Sequence, residues 1–210
     1  VILRVVSQGV TPVGLYASEV WGLGSLKKVG TGDFCLKCFY LLKDPVEVAR
    51  CGLLRQWLRL PPGTPKACLL HELGLQPLSH DFTRGAVRLW NTLVGMKPDS
   101  PYRRALVQNI SDAFDGHFNE VNFTKSLHSV LQLLKVDRQL VSSMRALQYI
   151  NAKVVEEKLA ARYQEWVQLQ VAETTAGTGM IRQYFTTVGT HEMGHRPDWY
   201  CINVPHKVAV

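Results

Sequence analysis

The sequence predicts a mainly α-helical protein, and three observations predict it. Apolar residues recur at helical spacing over long stretches, Pro and Gly fall where helices begin and end, and alternating strand-like runs are confined to residues 1–6 and 199–204. A chain of 210 residues with 46% hydrophobic side chains has the material for a core.

The first helix is expected from Thr11-Pro12, a cap oxygen followed by a residue that needs no amide hydrogen, to Gly22 or Gly24. Asp44-Pro45-Val46-Glu47 has the form of a capping box and should open a helix that stops before Pro61-Pro62. Thr64-Pro65 starts the next, ended by Gly74. Pro77 starts a longer one that reaches Gly95. Ser100-Pro101 begins a helix carrying Tyr102, Leu106 and Ile110, before polar sequence at Gly116. From 123 to 135, Phe123, Leu127, Val130, Leu131 and Leu134 mark one apolar face. A long amphipathic helix is expected from about Ala152 to Val171, with Val155, Leu159, Tyr163, Trp166 and Val167 facing a core. Residues 172–179 are small and polar, and Met180 to Thr187 should form a short helix. The expected organisation is therefore residues 1–115, residues 116–171, and a C-terminal tail of 172–210.

Net charge is +7, and its distribution is uneven. Residues 1–105 hold 14 Lys and Arg against 7 Asp and Glu, whereas residues 106–210 hold 10 against 10. A basic half joined to a neutral half points to a polyanionic partner, of which nucleic acid is the commonest. The candidate phosphate-binding residues are Lys27, Lys28, Arg50, Arg55, Arg59, Arg84, Arg88, Arg103 and Arg104, many of them one turn apart on predicted helices with Trp57 among them. Scattered cations on helices also form ordinary solvated faces, and Trp57 and Trp90 among leucines equally suit core packing. The apolar start is interrupted by Arg4, Gln8, Glu19 and Thr11-Pro12, which leaves no run of about 18 apolar residues; no membrane partner is expected.

Five cysteines, an odd number without a secretory leader, predict reduced thiols inside the cell. Cys35-Leu-Lys-Cys38 has the spacing of half a zinc site, with Cys51, Cys68 and His71 as conceivable partners. Small cysteines packed in a core account for it equally. Neither a G-x-S-x-G elbow, a phosphate-binding glycine loop nor a dinucleotide fingerprint is present.

Two stretches carry a family resemblance. TPVGLYASEVWG (11–22) and LLRQWLRLPPGTPKACLLHELGLQPL (53–78), followed by AVRLWNTLVG (86–95) and SPYRRALVQN (100–109), resemble the region after the catalytic palm in reverse transcriptases of LINE-type (non-LTR) retrotransposons. The likeness extends toward TAGTG at 175–179. It implies a helical, thumb-like bundle over 1–115 and a helical linker region over 116–171, gripping an RNA–DNA or DNA duplex, with palm and fingers as further partners and a nuclear location. Polymerisation itself needs neighbouring palm aspartates to hold divalent metals, and none of the eight Asp adjoins another. The resemblance thus implies a non-catalytic, nucleic-acid-binding fragment that begins near the palm-to-thumb junction and needs no cofactor, or an inactive remnant of one.

An enzyme class offers the alternative. His191, Glu192 and His195 match H-E-x-x-H, in which two imidazoles hold zinc and the glutamate activates water, and Cys201 stands at the last ligand position of the extended pattern. Zinc would be the cofactor of this second reading. Gly189, Gly194 and Pro197 oppose the helix such a site requires, and a thiolate ligand would lower the metal's Lewis acidity.

Overall fold

The structure, a computed structural model, describes residues 12, 15–26, 39–40, 44–115, 122–136 and 139–172. Helix makes up 73% of the interpretable part, with no strand there, as the residue spacing predicts. The elements are α1 (Ser18–Trp21), a 3-10 segment (Gly22–Leu26), α2 (Pro45–Trp57), α3 (Lys66–Glu72), α4 (Leu78–Gly95), α5 (Pro101–Phe114), α6 (Phe123–Leu133), α7 (Leu140–Arg145) and α8 (Ala152–Ala172). No helix among the described residues is long and apolar enough to cross a membrane. The strand candidates at 1–6 and 199–204 and the helix at Met180 to Thr187 lie outside the described residues.

Two compact units emerge, one of residues 1–50 and 78–159, the other of residues 51–77 and 160–210. Across 116 the side chain of Asn109 accepts from the Thr124 backbone amide at 3.0 Å, and the Asn122 side chain donates through Nδ2 to the Asn109 carbonyl at 2.9 Å, so α5 and α6 are joined.

In the first unit α4 is the hub, in contact with α1, the 3-10 segment, α5 and α6. Leu78, Phe82, Ala86, Trp90 and Val94, each four residues from the last, are buried along one face. Leu23, Leu26, Leu127, Val130, Leu131 and Leu134 complete this core. Close packing explains two glycines. A Cβ at Gly22 would lie 2.7 Å from Phe82 Cγ, and one at Gly85 would lie 3.3 Å from Glu19 Cβ. The stretch expected as one helix from Thr11-Pro12 is interrupted: Pro12 is helical, Leu15–Ala17 form a turn in which Ala17 adopts φ 53°, and α1 starts at Ser18.

The second unit is built from most of α2, the turn after it, α3 and the C-terminal half of α8. Leu54, Leu69, Leu70, Leu73, Tyr163 and Trp166 are buried, the last two with ring centroids 5.9 Å apart.

The capping box at α2 forms on one side only. Asp44 Oδ1 accepts from the Val46 amide at 2.8 Å, as expected. Glu47 does not turn back to the cap; it is buried, accepts from Arg50 at 2.9 Å and accepts the Leu78 amide at 2.9 Å, which places a carboxylate on the first amide of α4.

Helices α2, α3, α6 and α7 end alike. In each, the amide two residues past the cap bonds the carbonyl five residues back: Leu60 to Arg55, Leu75 to Leu70, Val136 to Leu131 and Gln148 to Ser143. The residue before each of those amides is left-handed. Gly74 fills that place after α3, but Arg59, Lys135 and Leu147 fill it elsewhere, at φ 54°, 56° and 54°.

Candidate nucleic-acid interface

The nine predicted phosphate contacts separate into three groups. Lys27 and Lys28 lie outside the described residues, as do His191, Glu192, His195 and Cys201 and the Cys35–Cys38 pair. Four arginines are engaged within the fold. Arg50 is a correction to the sequence reading, because its side chain is 4% exposed against a Glu47 side chain at 0%, so it is part of the core and not of a surface. Arg55 donates Nε and a terminal nitrogen to the Thr64 carbonyl at 3.0 and 2.9 Å, bracing the turn after α2. Arg84 bonds Glu156 of α8 through two nitrogens, one at 2.8 Å, and also reaches Asp81 at 3.2 Å. Arg103 donates to the Leu93 carbonyl at 3.3 Å, a cation on the last turn of α4.

Three arginines stay outward. Arg59 is exposed in the turn after α2; Arg88 is exposed on α4, its side chain donating to the Arg84 carbonyl at 3.4 Å; and Arg104 is exposed in the first turn of α5. Sequence reasoning missed a fourth cation, the exposed Lys97, which sits between α4 and α5. From 86 to 111 the chain carries Arg88, Lys97, Arg103 and Arg104 against the single carboxylate Asp99, so the junction of α4 and α5 is cationic. Between the middle of α4 and the start of α8 lies a groove of about 260 Å³ lined by Arg84, Val87, Arg88, Ala152, Val155 and Glu156. The Arg84–Glu156 pair neutralises its rim and leaves Arg88 as its uncompensated charge. Exposed guanidinium and ammonium groups of this kind can hold phosphate oxygens.

The two tryptophans divide as well. Trp90 is fully buried and donates Nε1 to the Gln148 carbonyl at 3.0 Å, whereas Trp57 is 36% exposed at the end of α2. Residue spacing alone could not distinguish them.

The described residues contain no group of three His, Cys, Asp or Glu able to hold a metal. Cys51, Cys68 and His71, the conceivable partners of Cys35 and Cys38, are all buried. Burial pushes the Cys68 thiol up to about 11, so it is a neutral thiol in this fold. His80, buried beside Phe39 and Tyr40 at ring-centroid distances of 5.9 and 5.7 Å, is held down to about 3 by burial and then by Arg84, so it is a neutral core residue. Searches of protein families, of curated proteins and of solved structures find no match to the chain.

Proposed function

We propose that the chain is a non-catalytic, nucleic-acid-binding piece of a LINE-type reverse transcriptase, which grips a template-primer duplex through phosphate contacts. The observation that carries this reading is the ordered pair of motifs, T-P-x-x-L-Y-x-x-E-V-W-G at 11–22 and L-P-x-x-T-P-x-A-x-L-x-x-E-L-G at 60–74. The exposed cations Arg88, Lys97 and Arg104 around one end of α4 support it, because cations on neighbouring turns can neutralise successive phosphates. The engaged arginines contribute by holding the helices that carry the exposed ones.

A salt titration of binding to a labelled RNA–DNA hybrid tests the proposal. Affinity should fall steeply as salt rises, and Arg88→Glu with Arg104→Glu should weaken binding and flatten the salt slope by about 2, one per lost phosphate contact. Arg55→Glu is a poor test, since it would release the turn at Thr64. Hybrid affinity that ignores salt and both charge reversals removes the reading.

A further inference from the structure

Tyr149 is displayed in a way that its sequence neighbourhood does not require. It is 66% exposed, yet the backbone on both sides of it is fixed from another helix. Before it, the Gln148 carbonyl accepts from Trp90 Nε1 at 3.0 Å and the Gln148 amide closes the end of α7 on Ser143 at 2.9 Å. After it, Asn91 grips Ile150 twice, accepting its amide at 2.8 Å and donating to its carbonyl at 2.9 Å. Leu147, two residues earlier, is held at φ 54°, a conformation unfavourable for leucine. The tyrosine hydroxyl lies 2.8 Å from where a Cβ on Gly95 would stand, so the absence of a side chain there lets the phenol rest on the end of α4.

The surroundings are cationic. Gly95 and Arg88 are seven residues apart on α4, two turns along one face, and both are exposed. Arg103 reaches the carbonyl of Leu93 in that same last turn, with Lys97 and Arg104 on either side of it in sequence. Asp99 is the one carboxylate from 86 to 111, and residues 147–157 add Lys153 against Glu157 and Glu156, the latter paired with Arg84. An exposed aromatic on an immobilised backbone, set among cations, has the parts of a base-stacking platform: a π-face for a base and charges for the phosphates beside it. Fixing the backbone in advance removes much of the ordering cost of binding.

We propose that Tyr149 stacks on an unpaired base of single-stranded nucleic acid, with Arg88 and its neighbouring exposed cations holding the adjacent phosphates. The inference rests on the nucleic-acid reading above and names the ligand class of one part of that surface.

The test compares a labelled oligothymidylate strand with a blunt RNA–DNA hybrid, which has no unpaired base, on the full chain at low salt. Tyr149→Ala should weaken strand binding by about 5- to 150-fold, the loss expected for one stacked base, and change hybrid binding by less than about twofold. Tyr149→Phe should stay near the parent, because it keeps the ring. Equal strand affinity for Tyr149→Ala and the parent overturns the inference. So does a Phe variant as weak as the Ala variant, or an Ala variant that loses hybrid and strand alike. A parent protein that binds neither probe removes the broader proposal as well, whereas one that binds both without regard to residue 149 removes only this inference.

Discussion

At the scale of single residues, the left-handed positions are where the sequence and the backbone disagree. Four helices end with the same pair of hydrogen bonds, and only the one closed by Gly74 carries the residue that this geometry favours. A side chain in that conformation costs about 1–2 kcal/mol, part of which glycine returns through its freer unfolded chain. Arg59→Gly is therefore expected to stabilise the protein by about 0.5–1 kcal/mol, and Gly74→Ala to destabilise it by about 1 kcal/mol or more. The position of Arg59 in the exposed turn after α2 makes it the cleaner of the two. Chemical denaturation midpoints decide the matter: a lower midpoint for Arg59→Gly would mean that residue 59 is not left-handed in solution.

At the scale of elements, the long periodic helices were legible and the contacts between helices were not. The start signals at Asp44-Pro45, Pro77 and Ser100-Pro101 and the stop at Gly74 fall within a residue or two of the observed ends, because caps and glycine stops act locally. The faces of α6 and α8 were legible too, since Leu127, Val130 and Leu131 and then Val155, Leu159, Tyr163 and Trp166 are buried as their spacing requires. Helix α7 was missed, being six residues of LVSSMR with no side-chain cap. The candidate site was legible only in part, for a reason that lies outside each helix. Nothing in the spacing of Arg84 announces that Glu156, 72 residues later, will neutralise it, and nothing in Leu-Gln-Tyr-Ile marks Tyr149 as held by Trp90 and Asn91. Gly22 shows the same dependence on a remote partner. Its φ of −60° suits any residue, so its role is space against Phe82, and Gly22→Ala should destabilise the protein by about 1–3 kcal/mol through overpacking. Gly22→Ala with Phe82→Leu, which makes room, should recover part of that loss in thermal denaturation; equal stability of Gly22→Ala and the parent would remove the close contact.

At the scale of the whole molecule, stability should depend on pH through two neighbours on α4 that act in opposite directions. His80 is buried and held down to about 3, against 6.5 for the free side chain. Between those values the unfolded chain binds a proton that the folded chain refuses, so the stability associated with neutral His80 is complete above about pH 6.5 and is lost progressively as the pH falls toward 3. Asp81 works the other way. Burial raises its carboxyl above the usual 3.8, with Arg84 and Arg50 opposing that rise, so in the window just above 3.8 acidification favours its folded form. The histidine window opens at the higher pH, and as the pH falls below 6.5 it should give a slope approaching one proton, or about 1.4 kcal/mol per pH unit, which Asp81 opposes nearer 3.8. Urea midpoints measured across that range should fall with acidity in the parent and flatten in His80→Phe, whatever the absolute stability of the variant. A parent whose midpoint is level from pH 6.5 to 4.5 would mean that His80 titrates normally and therefore is not enclosed by Phe39, Tyr40 and the core of α4, which would undo the packing that positions the cationic end of that helix.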